Sequence, residues 1–265
     1  MARPPPSLPN KSPPLPRKLH FPGKFYDRKE RSSLISIVGF QSAFRYYQLF
    51  LEGLGCTVAV SALTVVFGFI LALVLALMRM SKIWPLKAVA ATYVEIFRAT
   101  PMMVQLFLVY YVLLADVSLP AFKLFGFIRF ERFIPGVIAL SLNSAAYLSE
   151  IIRSGIQSID LGQSEAARSL GMSRVQTMRY IILPQAIKNI LPAIANEFIT
   201  IIKESSICWT IGVQEIMSAV NAVGAATYHI GEALIIAACI YFCLTFPTSK
   251  IIAYFERRMS RGDKR

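Results

Sequence analysis

Glutamate and arginine stand three residues apart at two places inside long apolar stretches, Glu95 with Arg98 and Glu150 with Arg153. On a helix this spacing puts both side chains on one face, where opposite charges can pair. A third group, Glu197, Lys203 and Glu204, lies in another apolar stretch. Charges are costly in hydrocarbon, so these groups must face protein or a water-filled path, as internal braces or as part of that path. Asn143 and Tyr147, one helical turn apart and uncharged, are better suited to lining such a path. Tyr110 and Tyr111 suit a path wall or a lipid interface equally well.

Bond-breaking chemistry has little support. The cysteines Cys56, Cys208, Cys239 and Cys243 all sit in apolar segments without CxxC spacing. Cys239 and Cys243 are one turn apart, but no His or acid stands beside them, so they read as small buried hydrophobes and not as a metal pair. His20 and His229 are isolated in sequence. There is no nucleophile–base pair and no Gly-x-x-x-x-Gly-Lys-Ser/Thr loop, so the chain is not expected to be an enzyme or to cradle ATP. Any energy for its work must come from another subunit or from an ion gradient.

The elements that hold these residues follow from the distribution of charge. Apolar residues make up 55% of the 265 and charged residues 16%. Gly53 to Met78 runs 26 residues without a charge, and Ala99–Ala115 and Ala233–Ser249 run 17 each. Such runs approach the roughly 20 residues that cross a bilayer as helix. We expect an all-α polytopic membrane protein with spans near 51–78, 86–114, 133–156, 189–213 and 232–255, since backbone facing lipid must be bonded internally. Thr100-Pro101 should break or kink the second span, because proline lacks the amide hydrogen and clashes one turn back. The net charge of +13 sits at span ends and in the tails, not along a helix face, which excludes nucleic-acid binding. Residues 1–33, rich in Pro, Lys, Arg and Ser, have no apolar signal-peptide core and read as a tail, and 34–50 as an interfacial segment. The domains are then 1–47, 48–256 and a basic tail at 257–265.

The short loop at 79–87, the long loop at 157–188 and the C-terminal tail carry cations and share one side; the loop at 214–231 has no Lys or Arg. The positive-inside rule puts the long loop and the C-terminus in the cytoplasm and the N-terminus outside, against the basic N-terminal tail, whose cations lie far from the first span.

Within the long loop, Ser164–Ile187 reads as two short helices meeting at a glycine. Ala166, Ala167 and Leu170 form a small apolar face, Gly171 gives a stop of the C-cap kind, and a second piece from Val175 to Ile182 ends at Leu183-Pro184. Small side chains on a protruding knob let another protein approach the backbone closely. Glu165, Ala166, Ala167, Gly171, Ile181, Leu183 and Pro184 stand at the spacing of the EAA loop, and in this the chain resembles the permease subunits of type I ATP-binding-cassette (ABC) importers. Tyr93-Val-Glu-Ile-Phe-Arg-Ala-Thr-Pro101 with Val104-Gln-Leu-Phe107, Glu150–Ile156, Leu191–Phe198 and Lys203–Ser206 resemble the polar amino acid (histidine, glutamate, glutamine, arginine and opine) permeases among them. Ala99 stands where that family usually has Gly, and Glu204 where it more often has Asp.

The resemblance covers about 53–255. It implies a five-helix core of the type I importer fold in a bacterial inner membrane and a second permease subunit, a copy or a paralogue. It also implies a separate ATPase dimer, carrying ATP and Mg and docked on the 160–187 loop, and an external protein that delivers a polar amino acid. No cofactor is expected on this chain, whose remaining contact is membrane lipid. The alternative is an ion-coupled secondary amino acid transporter, for which inverted repeats between halves would speak; none is visible.

Overall fold

The computed structural model describes residues 35–260. The expectations for the Pro-rich tail at 1–33 and for the last residues of the basic tail fall outside the described residues.

A short helix α1 (Ile37–Phe44) precedes α2 (Tyr47–Met80), so the interfacial segment at 34–50 is divided at Arg45-Tyr46 and its last residues already belong to the first long helix. The inward face of α2 is made of small residues, Gly53, Cys56, Thr57, Val60, Ser61, Thr64, Gly68 and Ala72. Small side chains at helical spacing let membrane helices pack closely. That face lies on α5 (Phe130–Gln157), where a Cβ on Gly68 would stand 3.3 Å from Ser144 Cβ. The opposite face of α2 exposes Val66, Phe67, Ile70, Leu73, Val74 and Leu77, the surface lipid would cover.

The expected second span is two helices. α3 (Trp84–Ala99) ends at Thr100, which is extended as residues before proline tend to be, and α4 (Met102–Leu108) leaves at 113° to it. So large an angle is a broken helix and not a kink. A π-helical stretch, Val109–Leu113, and a two-residue antiparallel hairpin, β1 (Lys123–Leu124) with β2 (Ile128–Arg129), lead to α5.

After α5 come α6 (Leu161–Ser169), α7 (Arg174–Thr177) and a π-helical turn at Met178–Ile182 that passes directly into α8 (Leu183–Glu204). The piece expected to stop at Leu183-Pro184 therefore continues: Pro184 falls in the first turn of α8, where its missing N–H costs least, and the wide turn before it absorbs the lost bond. The fourth expected span accordingly begins at Leu183 instead of 189 and ends at Glu204, followed by a 3₁₀ helix at Ser205–Ile211. The cation-free loop at 214–231 is not a plain loop. It holds α9 (Ile216–Thr227), whose Ile216, Val220 and Val223 pack with Phe50, Ala233 and Ala237 into one core cluster. α10 (Ile230–Ser260) closes the chain.

Among the described helices α2, α5 and α10 are each long and apolar enough to cross a membrane, and the α3–α4 pair makes a fourth if it counts as one span. α8, with Lys188, Glu197, Lys203 and Glu204, is held by its packing and not by apolarity. Its Ala186 and Ile190 join Ala72, Leu75, Ala145, Leu148 and Ile152 in the core shared by α2 and α5.

Candidate functional site

The knob at 160–184 is built by local capping. Asp160 accepts from the N–H of Gly162 at 2.6 Å to start α6. Gly171 ends it at φ +85°, with the N–H of Gly171 donating to the carbonyl of Arg168 and that of Met172 to Ala167, at 3.0 and 3.1 Å. This pair of bonds satisfies the last carbonyls and needs a left-handed residue. Ser173 and Gln176 then cap α7 reciprocally. The expected small apolar face is rearranged: Ala167 turns inward at 5% exposure, whereas Glu165, Ala166, Gly171 and Pro184 are exposed and Ile181 is half-buried. Leu170 is 85% exposed, and Leu161, Val175, Tyr180 and Leu183 are exposed with it. Exposed apolar side chains gathered in one short segment mark surfaces that contact another protein or a membrane.

At the end of α5 nearest this knob, Glu150 accepts from Arg153 Nε at 3.1 Å and also pairs with Arg79, from the last turn of α2. Arg153 in turn donates to Gln157. The expected pair is thus a three-member network that ties the end of α2 to the end of α5, just ahead of α6. Glu95 and Arg98 form no ion pair among the described residues. Glu95 is exposed, and the Arg98 guanidinium lies 5.7 Å over the ring of Tyr147 on α5.

Asn143 is 5% exposed. Its side-chain amide donates at 2.8 Å to Gln105 Oε1, and Gln105 Nε2 donates to the carbonyls of Phe97 and Thr100 and to Thr100 Oγ1, at 2.7, 2.9 and 2.8 Å. One buried amide therefore fastens both sides of the α3–α4 break and anchors them to α5. Replacing Gln105 with Leu strands the Asn143 donor and the two carbonyls, and a buried polar group left unpaired costs about 1–3 kcal/mol. We expect Gln105→Leu to lower the unfolding temperature of the detergent-solubilised permease, while a change at the exposed Val104 leaves it unmoved.

On α8, Glu197 and Glu204 are half-buried and Lys203 is exposed. Cys56 and Cys208 are buried as expected, but Cys239 and Cys243 are exposed on α10, where they line an apolar groove with Phe40, Phe44 and Leu54. Glu215 had no place among the sequence candidates. At 1% exposure its carboxylate caps α9, accepting from the N–H groups of Met217 and Ser218 and from the hydroxyl of Tyr241 on α10. Glu is not among the side chains that usually cap a helix, so the sequence at 215–220 offered only an acid ahead of a first turn, which suits the helix dipole.

The profile of a family described as "binding-protein-dependent transport system inner membrane component" matches residues 38–261. The chain is 44% identical over 213 residues to the arginine transport system permease protein ArtQ of Bacillus subtilis (strain 168), covering 80% of this chain and 93% of that one. It is 40% identical over 208 residues to the putative glutamine transport system permease protein GlnP of Rickettsia bellii (strain RML369-C), covering 78% and 91%. Among solved structures, that of an amino acid ABC transporter with histidines superposes with a TM-score of 0.76 at 45% identity, covering 83% of this chain and 98% of that one.

Proposed function

Because the chain belongs to the family of binding-protein-dependent transport system inner membrane components, we propose that it is the permease subunit of an ATP-driven importer of polar amino acids. It is paired with a second permease subunit, seats an ATPase dimer that carries ATP and Mg, and receives its substrate from an external binding protein. The single observation that carries this reading is the knob at 160–184: capped small-residue geometry at Ala166 and Gly171, with Leu161, Leu170, Val175 and Tyr180 exposed in the same segment. The similarity to arginine and glutamine permeases supports amino acids as the substrate class. The knob faces the compartment that holds ATP, which puts the C-terminus in the cytoplasm and the N-terminus outside.

In this reading the chain performs no chemistry on the solute. Motion of the ATPase reaches α6. Glu150 with Arg79 and Arg153 passes it to α2 and α5, and the broken pair α3–α4, held by Gln105, shifts with α5. Tyr147, Glu197, Lys203 and Glu204 offer polar groups along the route, while Asn143 serves as a brace.

Vesicles holding the chain with its ATPase inside and binding protein outside should accumulate labelled arginine, glutamine or glutamate only when ATP is enclosed. Accumulation without ATP that collapses with the ion gradient would instead support the ion-coupled alternative.

A further inference from the structure

We propose that a cavity of about 400 Å³ at the first turn of α5 is a reception site for a free amino acid, with Arg132 taking its carboxylate and Glu131 its ammonium group. The proposal rests on the importer reading, since it concerns the side from which substrate arrives. Tyr110, Tyr111, Leu119 and Pro135 are also part of the wall. α5 runs 28 residues from this cavity to the coupling knob. That is about 42 Å of helix, more than the roughly 30 Å of a hydrocarbon core, so cavity and knob open on opposite faces of the membrane.

The chemistry of the wall selects the ligand. The Arg132 guanidinium lies 5.2 Å over the ring of Tyr110, and its Nη1 donates at 3.4 Å to the carbonyl of Ile211, at the end of the 3₁₀ helix. These contacts hold the group in place yet engage one N–H of its five, leaving a fork suited to a carboxylate. Glu131, the adjacent residue, forms no ion pair among the described residues. Two opposite charges thus share one cavity without neutralising each other, and an α-amino acid carries the complementary pair on a single carbon. Tyr111, edge-on to Tyr110 at 4.8 Å, gives an aromatic wall for the rest of the molecule. The volume falls in the roughly 300–1,000 Å³ range of small-molecule sites.

The site also lies where movement would be felt. Its walls come from the π-helical end of the broken pair, from the segment at 114–119 that follows it and from α5, and Arg132 reaches from it to the 3₁₀ helix after α8.

The test uses Val117, which lines the cavity and is 49% exposed. Val117→Cys is made in full-length permease with Cys239→Ser and Cys243→Ser, reconstituted with its ATPase in vesicles, and labelled from outside with a membrane-impermeant maleimide. L-Arginine, L-glutamine and L-glutamate are added one at a time. At a concentration tenfold above the dissociation constant, an occupant should slow labelling about tenfold. N-acetyl derivatives and α-amides, which lack one charge each, should protect poorly, and Arg132→Gln should remove protection that Arg132→Lys partly restores. The proposal is overturned if none of the three slows labelling. It also fails if protection survives Arg132→Gln and both analogues, or if it needs binding protein and no amino acid, since then a protein segment is the occupant. ATP-coupled uptake in the same vesicles, with binding protein added outside, is read separately: its loss beside intact protection rejects the importer reading and keeps the site.

Discussion

Permease carrying Ala166→Leu inserts and folds but loses ATP-coupled uptake, by about tenfold or more. The change is nearly silent within the chain. Ala166 is exposed on α6, and Leu is close to Ala as a helix former. Against a fitted partner surface the added methylenes are not silent, because overpacking a close contact costs about 1–3 kcal/mol and 1.4 kcal/mol is a factor of ten in affinity. Gly171 gives the matching case with a built-in control. Nothing lies within 4 Å of a Cβ placed there, so only the φ of +85° and an outside partner can demand glycine. Asn tolerates left-handed backbone and Leu does not. If φ alone matters, Gly171→Asn retains uptake. If close approach matters, Gly171→Asn fails as Ala166→Leu does. Co-purification of the ATPase and uptake in vesicles measure both. Full uptake and full ATPase recovery with Ala166→Leu would mean that α6 does not seat against a partner.

The parts of this molecule that the sequence announced are those set by local rules. Charge-free runs marked α2 and α10, because apolar length is what a membrane span requires. Thr100-Pro101 marked the break, because a missing amide hydrogen acts on its own helix. Gly171 marked the end of α6 for the same kind of reason. Even so, proline set the place of the break and not its 113° angle, which depends on what the far side of the break packs against.

What stayed hidden depends on partners distant in sequence. Arg79 read as a cation flanking a span, and nothing in its neighbourhood pointed to Glu150, 71 residues on. Gln105 stood out only as part of the Val104-Gln-Leu-Phe107 resemblance, with no role of its own; the carbonyls of Phe97 and Thr100 that give it one carry no sequence signature. α9 was passed over because the absence of Lys and Arg at 214–231 was read as a sign of sidedness, while a 12-residue helix is too short to suggest a span. The turn at 178–182 shows a further limit, since a proline that usually ends a helix was accommodated by widening one turn.

Glu150→Gln should damage the permease more than Arg153→Gln, and the order follows from the third member of the network. Glu150 holds both Arg79 and Arg153, and the three side chains are 16–26% exposed. Removing Arg153 leaves Glu150 its pairing with Arg79, so the loss is small. Removing the carboxylate strands two guanidinium groups on facing helices, each uncompensated and each repelling the other. Breaking a buried pair by deleting one partner costs about 3–5 kcal/mol, and partial exposure here argues for about 3 kcal/mol. An isolated Glu150–Arg153 pair would behave otherwise, with either single change equally harmful and the double change harmless by comparison. In the three-member network the double change Glu150→Gln with Arg153→Gln still leaves Arg79 unpaired and recovers only part of the loss, whereas adding Arg79→Gln recovers more. Unfolding temperature in detergent reports the bracing, and uptake in vesicles reports the coupling that the network passes from α6 to α2 and α5. Coupling between the changes should reach about 0.5–3 kcal/mol, the range for residues in one charge network. Equal losses for Glu150→Gln and Arg153→Gln, adding without interaction in the double, would show that Arg79 takes no part and that the ends of α2 and α5 move independently.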